Sequence, residues 1–366
     1  MQTKHLQQAV ATILPILERR PTLPALERVL LECAGEGTIS LTATNLTTYA
    51  TATLSHKGPA MAGAILPKFL LAASEIAKTT GETEIEAEQD VEPVENSAAA
   101  PVVLRVGEWA IPADRRPKKE CPLPPDVQGE TKPVGEKLFE AVRQTLPFAS
   151  NDETRYIITG VHLDPVSELE GTRGHVVATD GRRITAAACE IPFEGTLPKP
   201  AASLIANCGA TSGTSRGTCE SHGSKTAAFE LTTTWGTLTI ATKLLGASYP
   251  DWTRVIPAGN PLKTSRWDSA NLLEELGAIL PLGEKALLEI SPEGTGIKIL
   301  DSNIQGATKT IWTAGGKITC ALNLTFAKSL CGLFPHGAEV FHFPNEQPLV
   351  VKQSGVTHAM MPMRQP

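Results

Sequence analysis

One order of elements recurs three times along the 366 residues: a helix, a set of strands, a second helix, a further set of strands. In the first pass, Leu6, Val10, Ile13, Leu14 and Leu17 fall at helical spacing over 3–18, and Pro15 predicts an early end or a kink. Strands are expected over 26–33, 38–44 and 48–54. A second helix is expected over 67–77, with Pro67 at its start where a missing N–H costs little, and strands over 83–91 and 102–111. The second pass gives helices at 136–146 and 201–208, and strands at 156–163, 174–178, 184–191, 227–231 and 237–242. Its segment 209–224, rich in Gly, Ser and Thr, reads as an irregular loop. The third gives helices at 268–279 and 324–334, and strands at 285–290, 296–300, 339–343, 349–352 and 357–361. The turns Thr44-Asn45-Leu46, Thr179-Asp180-Gly181 and Asp301-Ser302-Asn303 occupy equivalent places. Each helix carries one apolar stripe that a sheet must cover. Each strand set leaves edges that a neighbouring unit can pair. Like units joined end to end tend toward an arc, which a symmetric partner can close into a ring. The expected class is α+β, with three units over 1–125, 126–257 and 258–366.

Composition narrows the function. A net charge of −6 argues against a protein that coats nucleic acid with its whole surface, while leaving room for a local basic face. The strand 83–91 alternates acidic and apolar residues, as a half-exposed strand does. Residues 115–125 are basic and proline-rich, and read as a linker. The N-terminus lacks a signal-type apolar region, and no run approaches the ~18 apolar residues of a membrane span. Seven scattered cysteines without a CxxC pair suggest reduced thiols and a cytoplasmic protein. No Walker loop, GxGxxG, HExxH or EF-hand pattern occurs, so no cofactor and no metal are expected, and the protein reads as no enzyme. The one formal hydrolase motif, GxSxG over 213–217 around Ser215, needs a strand before it and a helix after it. Its flanks read as flexible loop. A hydrolase and a structural interaction protein unrelated to DNA remain the alternatives.

The hairpin over 174–191 carries the most chemistry. Asp180-Gly181 between two β-prone runs is a strong turn signal. Arg182 and Arg183 follow directly, and arginine offers a flat fork of donors for carbonyls, carboxylates or phosphates. Around it stand segments that resemble the bacterial DNA polymerase III β subunit family, the sliding clamps. These are RRPTLPALERVLLEC from Arg19 with ISLTATNL from Ile39, ASNDETRYIITGVHL from Ala149, ATDGRRIT from Ala178, YPDWTRVIP from Tyr249, LNLTFAKSL from Leu322 and MMPMR from Met360. In this order they cover essentially the whole chain.

The resemblance implies a three-domain clamp, each domain with two helices packed on antiparallel sheets, that closes head to tail as a homodimer into a ring. It implies duplex DNA in the hole, held without sequence preference through phosphate contacts. A clamp loader closes the ring, and the DNA polymerase III α subunit and other clamp-binding-motif proteins dock a peptide on it. No membrane partner is implied. DNA-facing candidates are Arg20, Lys78, Arg143 and Lys328. Carried over by motif, the peptide pocket comprises Arg155, Ile157 and Ile158; Thr179, Gly181, Arg182, Arg183 and Ile184; Pro250, Arg254 and Val255; Asn323 and Phe326; and Met360, Met361, Pro362, Met363 and Arg364. Methionines suit a groove that accepts several partners, though the same residues could line a core strand. Arg183 is expected to support the groove, whereas Arg182 could serve a peptide backbone or plain solvent. Asn45 stands where the family more usually has aspartate, and Arg364-Gln365-Pro366 departs from the family's usual hydrophobic end.

Overall fold

The computed structural model describes residues 1–18, 20–33, 35, 37–82, 84–89, 102–169, 171–221, 224–279, 285–291, 294–299, 308–311, 314–315, 318–344 and 347–363. Arg19, the third expected turn at 301–303, and Arg364 lie outside the described residues. The chain divides into two compact units, one formed by Met1–Arg143 and Pro192–Gly246, the other by Gln144–Ile191 and Ala247–Pro366.

In the first unit, α1 (Thr3–Ile13) buries Leu6, Ala9, Val10 and Ile13, one stripe at the helical period. Pro15 then tightens the chain into the 3-10 turn Leu14–Ile16. α2 (Pro67–Thr80) packs beside α1, opens on Pro67 and stops at Gly81, whose φ of 75° only glycine adopts easily. α3 (Glu136–Thr145) buries Leu138, Phe139 and Val142, and α4 (Lys199–Asn207) packs on the Gly236–Lys243 strand.

The large sheet of this unit is antiparallel. Its strands lie in the order Arg115–Arg116, Met61–Ile65, Val29–Cys33, Thr38–Thr44, Thr48–Ser55, Gly236–Lys243, Ser224–Thr233, Ser212–Ser221, Thr131–Gly135. Two distant parts of the chain meet at its centre, where Leu238 faces Ala52 and Ile240 faces Ala50. There the Thr48 and Thr242 hydroxyls bond each other at 3.0 Å. A smaller sheet holds Glu86–Gln89, Val102–Val106 and Trp109–Ala113.

Several expectations change here. The expected loop at 209–224 is mainly the strand Ser212–Ser221, hydrogen-bonded on both sides. Its small residues answer to packing, not looseness. A Cβ on Gly213 would stand 2.4 Å from the Glu230 carbonyl oxygen, and one on Gly217 2.3 Å from the Phe193 ring. The run 102–111 is two strands, because Gly107 turns the chain at a φ of 56°. The linker at 115–125 begins as an edge strand, where Arg115 Nη1 donates to the Ala62 carbonyl at 2.9 Å. The strand expected from 26 starts at Val29, after a 3-10 turn Pro24–Glu27. The strand expected from 156 starts at Gly160, because Glu153–Ile158 is a 3-10 segment capped by Asp152, which accepts from the Thr154 amide.

In the second unit the main sheet runs Gly160–Leu169, Thr172–Thr179, Arg183–Ala188, Val356–Met360, Leu349–Gln353, Ala338–His342, Lys263–Trp267, Ala314–Gly315. A second sheet orders Thr308–Ile311, Gly294–Ile299, Lys285–Ser291, Ile318–Asn323. α5 (Ser269–Ile279) packs on α6 (Leu324–Leu333), and Asn323 caps α6 by accepting from the Phe326 amide at 3.2 Å. Val177, Ile184, Ala186, Trp252, Ile256, Val350 and Ala359 form a core cluster that underlies the site.

Candidate functional site

The Asp180 carboxylate organises the hairpin tip. Its Oδ1 accepts from the Arg182 and Arg183 amides at 2.9 and 3.0 Å, and its Oδ2 pairs with Arg183 Nε at 2.8 Å. Thr179 Oγ1 accepts from the Gly181 amide and donates to the Arg183 carbonyl, while Gly181 takes a φ of 83°. From outside the turn, Arg155 Nη1 donates to the Asp180 carbonyl at 3.0 Å. The Arg183 guanidinium lies over two rings, 4.9 Å from the Phe148 centroid and 4.5 Å from that of Phe326. Cation–π contact and the Asp180 pair together fix a side chain that is only 12% exposed.

The same grip is built at the first expected turn. Thr44 Oγ1 donates to the Thr48 carbonyl and accepts from the Leu46 amide. Asn45 Oδ1 accepts from the Thr47 and Thr48 amides, and Leu46 takes the positive φ of 69° in the place of Gly181. An amide oxygen thus serves where Asp180 supplies a carboxylate.

Beside the hairpin opens a mainly apolar cavity of about 190 Å³. One side is the hairpin, through Thr179, Gly181, Arg182, Arg183 and Ile184. The facing side is Tyr249, Pro250, Asp251, Trp252 and Val255; Ile158, Pro348, Ala359 and Met361 complete it. Val255 and Met361 are 45% and 41% exposed, so the rim offers apolar surface to solvent.

The residues expected in one pocket are therefore partly sorted. Ile158, Thr179, Gly181, Arg182, Arg183, Ile184, Pro250, Val255 and Met361 line the cavity. Arg155 and Phe326 support it from behind, through Asp180 and Arg183. Arg254 is on the surface, paired with Asp251 at 2.7 Å, and Asn323 is spent on the α6 cap. Ile157, Pro362 and Met363 do not line it. Met360 is a correction: it is fully buried in its strand, because strand alternation sends Ala359 and Met361 to the cavity and Met360 to the opposite face. Tyr249, Asp251, Trp252, Pro348 and Ala359 were missed. The first three lie in the very segment that supplied Pro250 and Val255, and period two from Met361 points to Ala359.

Hydrogen bonds stabilise the charged form of three carboxylates at or near the cavity. Bonds from Thr154 and Arg155 hold Asp152 below the usual carboxylate range, and bonds from Thr253 with the Arg254 charge do the same for Asp251. Burial pushes Asp164 up, yet the Trp252 indole and the Ser167 and Val166 amides outweigh it and hold the carboxyl below its ordinary value.

Elsewhere, Arg20, Lys78 and Lys328 are exposed; Lys78 sits 3.7 Å from Glu75. Arg143 pairs with Glu140 and donates through Nε to the Ala206 carbonyl at 3.0 Å. Ser215 is buried mid-strand, its Oγ directed at the Lys132 carbonyl at 3.5 Å. A nucleophile elbow presents its serine on an exposed strand-to-helix turn, so the GxSxG reading fails on geometry. Among the described residues no cluster could hold a metal ion, and no helix is long and apolar enough to cross a membrane.

No family model matches the chain. It is 26% identical over 380 residues to the β sliding clamp of Synechococcus elongatus, covering 98% of each chain. To the β sliding clamp of Caulobacter vibrioides it is 24% identical over 242 residues, 62% of this chain and 64% of the relative. Among solved structures, the DnaN sliding clamp of Bartonella birtlesii bound to griselimycin superposes with a TM-score of 0.84 at 18% identity, over 100% of this chain and 98% of that one. The DNA polymerase III β subunit of Thermotoga maritima gives 0.79 at 19%, over 100% and 99%. The chain is thus similar to β sliding clamps along its whole length, and it has their fold. The clamp fold is retained here at 16–19% identity to these and other solved clamps.

Proposed function

We propose that this chain is a member of the β sliding clamp family and a DNA polymerase processivity factor: a ring that encircles duplex DNA and tethers the replicative polymerase and other enzymes by a docked peptide. The observation that carries the reading is the full-length likeness to β sliding clamps in both sequence and fold. Topological enclosure holds DNA without tight binding, and sequence-blind phosphate contacts permit sliding. Arg20, Lys78, Arg143 and Lys328 are the proposed DNA-facing residues. The three-domain division at 1–125, 126–257 and 258–366 is supported by the shared turn chemistry at Asn45 and Asp180.

Self-association into a homodimer is supported by the strand Trp109–Ala113, which among the described residues pairs on one side only, with Val102–Val106. It leaves Trp109 58% exposed, and an open apolar edge invites a strand from another copy. The apolar cavity beside Asp180 is the proposed peptide pocket, with Arg183 as its support. The chain acts without catalytic residues of its own, in the cytoplasm, with a clamp loader to close it around DNA.

The test is retention on DNA. Loaded onto nicked circular plasmid, the protein is expected to stay bound through gel filtration and to be lost once the plasmid is linearised. Equal loss from circular and linear DNA would overturn the reading.

A further inference from the structure

The wall of the cavity opposite the hairpin has no ladder to hold it. Tyr249, Pro250 and Asp251 lie in neither helix nor strand, and Trp252 opens a short 3-10 turn, Trp252–Val255. Beyond the core cluster packed under Trp252, a set of side chains on two neighbouring strands, none of which lines the cavity, gives this wall its direction. On Gly160–Leu169, the His162 ring stacks on Tyr249, centroids 4.4 Å apart and planes 2° from parallel. Two residues on, Asp164 Oδ2 accepts from Trp252 Nε1 at 2.9 Å. Its other oxygen accepts from the Val166 and Ser167 amides, at a bulge in the strand that fixes the carboxylate's direction. Directly across the pair, His175 meets Trp252 edge-on at 5.4 Å and is itself held by Ser167 Oγ, 3.0 Å from its Nδ1.

The geometry points to Asp164, seconded by His162 and His175, as the positioning residue that sets the width of the docking cavity. The inference rests on the peptide-pocket reading above. Three facts argue for positioning over simple packing. A half-buried carboxylate is a costly way to fill space, and an apolar side chain would fill it at less cost. The carboxylate is spent wholly on orientation: one oxygen takes the indole N–H, the other locks the carboxylate to its own backbone. And the indole it holds borders an open cavity of about 190 Å³, so an indole without an acceptor can swing into the space a ligand's apolar anchor needs.

The test uses the full chain and a fluorescein-labelled short peptide with leucine and phenylalanine anchors, titrated by anisotropy, with thermal melting and oligomeric state followed alongside. Asp164→Leu is expected to weaken binding about tenfold. Asp164→Asn, which keeps one acceptor oxygen for the indole but gives up the bonds from the Val166 and Ser167 amides, is expected to lose less than Asp164→Leu, about threefold. Should Asp164→Leu fail to fold, His162→Ala against His162→Phe makes the same comparison at the other anchor, the ring-for-ring change preserving affinity and the truncation losing it. Met361→Glu, on the cavity rim, is the control for the pocket itself. Binding lost in Met361→Glu but unchanged in Asp164→Leu or His162→Ala would overturn the positioning role alone. So would affinity that follows melting temperature across the set in place of the acceptor at 164. Binding unchanged in Met361→Glu would overturn the pocket reading, and this inference with it.

Discussion

At Gly181 two constraints meet. Its φ of 83° lies in the left-handed region, and a Cβ there would stand 2.6 Å from Arg155 Nη1. Gly181→Ala therefore strains the turn by about 1–2 kcal/mol and displaces the guanidinium that holds the Asp180 carbonyl. Melting temperature should fall by a few degrees, and peptide affinity by about tenfold in an anisotropy titration. An unchanged titration would separate the turn from docking. Much of this was legible in the sequence, because Asp-Gly fixes a turn through local chemistry. What lay hidden was the role of Arg183: no spacing tells that Phe148 and Phe326, distant along the chain on either side, close over its guanidinium. Nor could spacing show that Asp164 reaches Trp252.

Among the elements, helices were the most readable, since an apolar stripe and a proline or glycine at each end suffice. α1 stops before Pro15 and α2 at Gly81 for those reasons. Strands whose pattern depends on their neighbours were not. Ser212–Ser221 looks like loop because its glycines admit Phe193 and the Glu230 carbonyl, facts that exist only once the sheet is assembled. The Trp109–Ala113 strand was hidden differently, merged with its neighbour until Gly107 turned between them. Its open edge yields an expectation. Trp109→Asp places charge on that edge and should shift sedimentation from a dimer toward a species of 38.9 kDa, with far-ultraviolet circular dichroism unchanged. A dimer that survives the change would place the interface elsewhere.

For the whole molecule, pH is the revealing variable. In the second unit three buried imidazoles are held by hydroxyls: His175 by Ser167, His342 by Ser265 and His358 by Thr185. Burial lowers all three from an ordinary value of 6.5, His342 to about 4 and His358 to about 3, with Lys263 and Arg183 adding to the shift in those two. The unfolded chain then binds protons that the folded chain refuses. The sign follows: their stability is fully present above about pH 6.5 and is lost as pH falls toward the folded values. In the first unit His56 behaves alike, lowered first by burial. Melting temperature should drop steeply between pH 6.5 and 4. His358→Gln, which cannot take up a proton there, should flatten that drop even if it lowers the plateau. A profile identical to the parent's would show that other groups govern acid lability.

The Thr-Asx turn built twice has a consequence for how such a surface arises. At 44–48 it merely reverses the chain; at 179–183 the same bonds border a binding cavity. The turn is thus a reusable part, and what sets the second copy apart is the two arginines it displays and the rings that close over Arg183. Transplanting the sequence of 44–48 into 179–183 should give a hairpin that still closes, with melting lowered both by the lost Arg183 contacts and by the leucine that crowds Arg155 at position 181, on a molecule that no longer recruits a peptide.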